Sequence, residues 1–122
     1  MNTALSSLWA ILVEYRDLGL AATALLLKGD MDTAELLLGQ RAEVFARFQR
    51  EDEELAQTEW HKSSEFISLG REIQSVDTRL RSALETALED LSKDVGLLGE
   101  ARRTLKGYRS GESEDTFFTR MA

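Results

Sequence analysis

Residues 25–41 read LLLKGDMDTAELLLGQR, and this stretch places a short turn between two leucine-rich segments. Lys28 suits the negative end of a helix dipole, and Gly29 suits the left-handed conformation that ends many helices. Asp30 or Asp32 can cap the helix that follows. Because so short a turn reverses the chain at once, it predicts two antiparallel helices that pack against each other.

Both segments beside the turn carry apolar or small residues at steps of three and four, which is the spacing of one helix face. Before the turn these residues are Leu5, Leu8, Leu12, Tyr15, Gly19, Ala22 and Leu26. After the turn they are Ala34, Leu37, Leu38, Ala42, Phe45, Phe48 and Leu55. The two patterns predict a first helix at about residues 3–28 and a second at about residues 31–56.

A longer run of helical spacing follows a second turn, which we place at residues 57–64. Its apolar or small positions are Phe66, Leu69, Ile73, Val76, Leu80, Leu84, Ala87, Leu91, Val95, Leu98, Ala101, Leu105 and Tyr108. They predict a third helix at about residues 65–108. We therefore expect an all-α fold, an antiparallel three-helix bundle or coiled coil with a long third helix. Residues 1–108 form its single domain, and residues 109–122 form a C-terminal tail or a short helix that folds back.

The predicted third helix is longer than the hairpin on which it packs. It spans roughly 65 Å, against roughly 40 Å for each of the others, so its last ~16 residues project beyond the Gly29 turn. The apolar residues of this part are Val95, Leu98, Ala101, Leu105 and Tyr108, and together with Leu91 just before them we call them the seam. Because proteins rarely leave such a stripe in water, we predict that the seam binds a partner. Its cover is Phe117 and Phe118 of the tail, a second copy of the chain, or a helix of another protein.

The composition narrows the classes of function. The 122-residue chain contains no cysteine, which excludes disulfides and thiolate chemistry, and no proline, which favours long helices. Its formal net charge of −7 opposes nucleic-acid binding, which requires a cationic surface. The most apolar run, residues 18–27, is shorter than the ~20 residues of a membrane span. We therefore expect a cytoplasmic protein with no membrane insertion and no nucleic-acid partner.

Side chains suited to catalysis or metal binding are scarce. His61 is the one histidine, and we expect it to be solvated in the polar second turn. The Glu-x-x-His pairs of a di-iron bundle are absent, and Asp30 with Asp32 lacks the spacing of a calcium loop. We expect no enzyme activity, no cofactor and no metal.

Three larger side chains have structural interpretations. We expect Trp9 and Trp60 to be packing residues, because tryptophan contributes a large apolar surface. Arg41 falls near the inner stripe of the second helix. Its side chain either extends outward to water or pairs with an acid on a neighbouring helix.

Several features of the chain form one pattern. They are Tyr15, the turn at residues 28–30, the stretches at residues 34–41, 73–77 and 101–108, and Phe117-Phe118 followed by Arg120. With this pattern the chain resembles the small flagellar type III export chaperones, the FliT-like group first and the FlgN-like group next. The resemblance covers nearly the whole chain and agrees with an all-helical fold.

The resemblance implies a cytoplasmic bacterial chaperone that binds an exported flagellar protein before secretion. In the FliT-like group the client is the filament-cap protein, bound through its C-terminal segment, and in the FlgN-like group the clients are the hook–filament junction proteins. The resemblance also implies contact with the export ATPase complex and a C-terminal segment, here Phe117 and Phe118, that masks the binding surface. The residues alone leave an alternative open, a structural coiled-coil homo-oligomer such as a homodimer, or an adaptor subunit.

Overall fold

The protein is helical throughout the part that its structure, a computed structural model, describes: residues 3–93, with side chains as far as residue 90. Three α-helices and two short 3-10 turns account for almost all of it. In chain order they are α1 (Thr3–Lys28), α2 (Met31–Glu54), the turns Ala56–Thr58 and Trp60–Lys62, and α3 (Ser64–Lys93). The prediction of an all-α fold is confirmed, with the second helix two residues shorter than expected.

The turn between α1 and α2 has the predicted conformation. Gly29 has a φ of +83°, in the left-handed region that glycine enters without a steric penalty. The Asp30 N–H donates to the Leu25 carbonyl (2.9 Å) and the Gly29 N–H to the Leu26 carbonyl (3.1 Å), so both orphaned carbonyls are paired. The chain therefore reverses within two residues.

The cap of α2 is Asp30. Its carboxylate accepts a hydrogen bond from the Thr33 backbone N–H at 3.2 Å, which satisfies one of the four free donors at the helix start. Asp32, the other candidate, lies inside the first turn of α2, where its charge favours the positive end of the helix dipole.

The first helix is the centre of the bundle. It packs closely on both α2 and α3, whereas the Cα atoms of α2 and α3 hardly approach each other within 8 Å. Of the seven positions predicted to face the core from this helix, six are buried and Leu5 is partly buried. Trp9 and Val13, beside this stripe, are also partly buried and pack against the core.

Two apolar clusters form the core, one at each end of the bundle. The first cluster consists of Leu8, Ile11, Leu12, Tyr15, Val44, Phe45, Phe48, Leu55, Trp60, Phe66, Leu69 and Ile73. The second consists of Ala22, Leu26, Ala34, Leu38, Leu80, Ala83, Leu84, Ala87 and Leu88. The second cluster joins the end of α1, the start of α2 and the later part of α3, so the three helices run up, down and up.

The buried face of α2 differs from the prediction in two respects: Val44 is buried although it was not predicted to be, and Arg41 replaces Ala42. Ala42 is exposed, and Arg41 is buried in its place with 6% of its surface accessible. The helical spacing from Leu38 to Phe45 accommodates either residue on the inner face. Arg41 takes the inner position because the neighbouring helices supply hydrogen-bond acceptors for its side chain, as described below.

The link from α2 to α3 lies where the second turn was predicted. It consists of the two 3-10 turns, which meet at Glu59, a residue with a φ of +52°. The third helix starts at Ser64 and is described as far as Lys93. The remainder of the predicted third helix, residues 94–108, and the tail at residues 109–122 lie outside the described residues.

Candidate protein-interaction site

The third helix runs beside α1 in a fixed register. Three contacts define this register, and they join Trp9 with Phe66, Arg16 with Glu72, and Gly19 with Val76. Each contact joins residues that are about 57 positions apart in the sequence. Because this separation stays constant, α1 and α3 run parallel in a constant register. In this register Lys28, the last residue of α1, lies level with about Glu85.

The third helix therefore continues past the level at which α1 ends. From Glu85 to Lys93 it continues for about eight residues, or roughly 12 Å, past the level at which α1 ends. In this part, which we call the α3 extension (residues 86–93), Ala87 and Leu88 remain 7% and 6% exposed and belong to the second core cluster. The apolar face of α3 thus continues unbroken to the end of the hairpin.

The residues predicted to bind a partner begin where the described side chains end. Leu91 belongs to α3, for which the structure describes only the backbone at this position. The other predicted residues are Val95, Leu98, Ala101, Leu105 and Tyr108 in the seam and Phe117 and Phe118 in the tail, and they lie outside the described residues.

A buried polar centre joins all three helices between the two core clusters. The Arg41 Nη2 donates to Asp77 Oδ1 at 2.6 Å, and the Arg41 Nε donates to the Tyr15 carbonyl oxygen at 2.9 Å. The guanidinium carbon also lies 3.7 Å from the centroid of the Tyr15 ring, a cation–π contact. Of the two interpretations of Arg41, pairing with an acid on a neighbouring helix is the one that the structure supports.

Burial controls the electrostatics of this pair. Only 7% of the Arg41 side chain and 9% of the Asp77 side chain are exposed. Burial raises the pKa of the Asp77 carboxyl above its ordinary value, while the charges of Arg41 and Arg81 oppose that rise. The second carboxylate oxygen of Asp77 is buried without a hydrogen-bond partner among the described residues, so the charged form is incompletely satisfied.

Gly19 makes the approach of Arg41 possible. A Cβ atom built on Gly19 would lie 2.8 Å from the Arg41 Nη2 and 2.8 Å from the Val76 Cγ1, closer than real side chains come. The missing side chain therefore creates the space in α1 that the guanidinium group fills. The ion pair therefore specifies the register of the helices at this level, because a shift of one residue would separate the two charges.

An aromatic cluster closes the opposite end of the bundle. Trp60 is 3% exposed and packs edge-on against Phe48 and Phe66, with centroids 5.8 Å and 5.2 Å away. Its indole Nε1 donates to Asp52 Oδ1 at 2.9 Å, so the polar atom of the ring is satisfied. The prediction that Trp60 is a packing residue is confirmed, and His61 beside it is exposed.

Two further properties of the described residues concern metal binding and membrane spanning. No three His, Cys, Asp or Glu side chains of the described part come together in a way that could hold a metal ion. The Arg41–Asp77 pair is largely buried, with 7% and 9% of the two side chains exposed. Among the described helices, none combines the length and apolar character that crossing a membrane requires.

Comparison of the chain with protein families, with curated proteins and with solved structures yields no match. The function is therefore inferred from the sequence pattern and from the geometry of the described residues. Two surfaces are candidates for binding another protein. One is the α3 extension with the seam predicted from the sequence, and the other is the outer face of α1, the side of residues 17–28 that contacts neither α2 nor α3.

Proposed function

We propose that this protein is a bacterial flagellar export chaperone that acts in the cytoplasm. It holds the C-terminal helical segment of an exported flagellar subunit until that subunit enters the type III secretion apparatus. The subunit is a filament-cap protein or a hook–filament junction protein. The support comes from the sequence pattern at residues 28–41 and 73–77, and from the all-helical bundle in which these two stretches are joined by the Arg41–Asp77 pair.

The observation that carries the proposal is the α3 extension. The third helix continues past the end of α1 and its apolar face is buried as far as Leu88, and the sequence continues the same spacing through the seam. Apolar surface in water has an unfavourable free energy of about 25 cal/mol per Å². An amphipathic helix of a client removes this cost when its apolar face lies along the seam.

The tail regulates the seam in this proposal. Phe117 and Phe118 compete with the client for the same apolar residues, so the free chaperone is partly autoinhibited. Deleting residues 112–122 should strengthen client binding, and a competing contact of only 1–2 kcal/mol changes the apparent Kd about tenfold. Contact with the export ATPase complex would follow client binding. We propose no catalytic activity.

Isothermal titration of the full chain tests the proposal. The ligands are helical peptides from the C-termini of a filament-cap protein and of a hook–filament junction protein, each with a scrambled control of equal composition. We expect one of the two peptides to bind with a Kd at or below the micromolar range, and binding to strengthen when residues 112–122 are removed. Binding of neither peptide would rule out the chaperone, and unchanged affinity after the deletion would rule out masking by the tail.

The alternative function is a structural coiled-coil homo-oligomer or an adaptor subunit without chaperone activity. It is favoured by the exposed leucines of the hairpin, above all Leu27, which is 73% exposed, and Leu36, which is 68% exposed. Sedimentation of the full chain at micromolar concentration discriminates between the two functions. An obligate dimer supports the structural oligomer, whereas a monomer or a monomer–dimer mixture supports the chaperone.

A further inference from the structure

The outer face of α1 is apolar where a surface helix is ordinarily polar. Residues 18–27 carry no charge on any side of the helix. On the side away from α2 and α3, Leu20 is 39% exposed and Leu27 is 73% exposed, and Ala21 and Ala24 between them are exposed as well. A helix that is apolar all round is usually covered on all sides. In the described part of the chain, nothing covers this one.

One acidic residue and one basic residue lie at the two ends of this face. Asp17 and Lys28 are eleven residues, or about three helical turns, apart and therefore lie on the same side of α1. The Asp17 carboxylate is 58% exposed, and its partner among the described residues is its own neighbour Arg16. Lys28 forms no ion pair with any residue that the structure describes. The Lys28 charge is thus available to a partner, and the exposed Asp17 carboxylate reaches one by sharing or exchanging its contact with Arg16.

We propose that the outer face of α1 binds the same face of a second copy of this chain, with the two helices antiparallel about a two-fold axis. The axis passes between Ala22 and Thr23, the midpoint of the bracketed face. Asp17 of each copy then meets Lys28 of the other, and each ion pair occurs twice. The inference does not depend on the proposed function, because this face is separate from the seam.

The apolar residues fit the same arrangement. With the axis at that midpoint, Ala21 of one copy lies opposite Ala24 of the other, and these small side chains allow the two helices to approach closely. Along the side of the interface nearer α3, Leu20 of one copy packs beside Leu27 of the other. The face is thus complementary to itself in both charge and shape, which favours a second copy over an unrelated helix.

The size of the interface sets its strength. It involves one face of a single helix over about twelve residues, which places it below the ~1,200 Å² of a standard stable interface. The dimer should therefore be in equilibrium with the monomer at micromolar concentrations rather than obligate. An increase in salt should weaken it, because the two ion pairs lie at the edges of the contact.

Sedimentation equilibrium of full-length variants, in which the charges at Asp17 and Lys28 are reversed singly and together, tests the proposal. Asp17→Lys alone places two lysine side chains together at each end of the contact, and Lys28→Asp alone places two acids together there. Each single variant should weaken the dimer roughly tenfold or more, because like charges then face each other twice. The double variant D17K/K28D restores both ion pairs in reversed order, so its Kd should return to within about threefold of the wild type.

Two alanine positions provide a matched control. Ala24→Arg places a bulky charge in the middle of the proposed contact and should abolish the dimer, whereas Ala42→Arg makes the same change on the exposed face of α2 and should leave it intact. Circular dichroism confirms that each variant is folded. A wild type that stays monomeric at several hundred micromolar would overturn the proposal. So would a dimer that tolerates Ala24→Arg, or one that the double exchange fails to restore after the single changes have weakened it.

Discussion

Arg41 and Asp77 form a buried ion pair that joins α2 to α3. The sequence places Arg41 near the inner stripe of α2, which left pairing and outward extension both open. Its partner could not be identified, because Asp77 is one of several acids along α3 and only the three-dimensional register brings it within 2.6 Å of the guanidinium group. A buried Arg41 requires a partner near the core, so its partner is expected among the acids adjacent to the α3 apolar stripe.

Removing Arg41 should destabilise the bundle strongly. Arg41→Leu leaves the buried Asp77 charge without a partner, and breaking a buried pair on one side costs about 3–5 kcal/mol. The double variant R41L/D77L removes both charges and should lose much less stability than the single one. Urea unfolding followed by circular dichroism measures both values. A single variant with nearly wild-type stability would show that the pair contributes nothing to the fold.

The raised pKa of Asp77 predicts an unusual dependence of stability on pH. Between its unfolded pKa, near 3.8, and its higher folded pKa, the native state binds a proton that the unfolded state does not. The contribution of Asp77 to the free energy of unfolding is therefore largest below the lower value and falls as the pH rises through the higher one. Ordinary ion-paired carboxylates, whose pKa is lowered on folding, behave in the opposite way.

The comparison that isolates this effect is wild type against Asp77→Asn, in which the carboxyl no longer titrates. On acidification from about pH 7 to about pH 4, the wild type should gain stability relative to the variant, because the titration of other carboxyls largely cancels between them. Denaturant midpoints at several pH values provide the measurement. A wild type that loses stability relative to the variant would mean that Arg41 lowers this pKa instead.

At the scale of the elements, the sequence predicts the two connections between helices to different degrees. The α1–α2 turn follows from Gly29 and the acid after it, since glycine enters the left-handed region freely and aspartate caps the next helix. The α2–α3 link carries neither glycine nor proline, so the sequence indicated only a loss of helical spacing. Its left-handed residue is Glu59, and a tertiary contact, the burial of Trp60, holds its shape.

Trp60 should therefore be the anchor of the α2–α3 link. Trp60→Ala removes a buried ring together with its hydrogen bond to Asp52, and truncations of this kind cost about 3–5 kcal/mol. His61→Ala, at the exposed neighbouring position, serves as the matched control and should change stability by no more than about 0.5 kcal/mol. Thermal unfolding of the two variants gives the comparison. Equal losses at both positions would show that the link is not held by the indole ring.

For the molecule as a whole, the all-helical architecture could be read from the spacing of apolar residues, and so could most of the core. The outer face of α1 could not, because its exposed leucines belong to the same apolar run as its buried ones, and only the positions of α2 and α3 separate the two sides. The candidate client site remains a prediction. The register of α3 on α1 is described as far as Lys93, and the site itself rests on the sequence pattern.

The central claim is that the seam beyond the hairpin binds a helix of another protein. Its most direct test is isothermal titration of a client C-terminal peptide into three chains: the wild type, Leu98→Asp in the seam, and Leu36→Asp as the control. Leu36 is an exposed leucine of α2 outside the seam, so the control makes the same chemical change at an apolar surface position. Leu98→Asp should weaken binding by about tenfold or more, since a charge in an apolar contact remains unpaired, while Leu36→Asp should bind like the wild type. Equal affinity of Leu98→Asp and wild type for the peptide would contradict the claim.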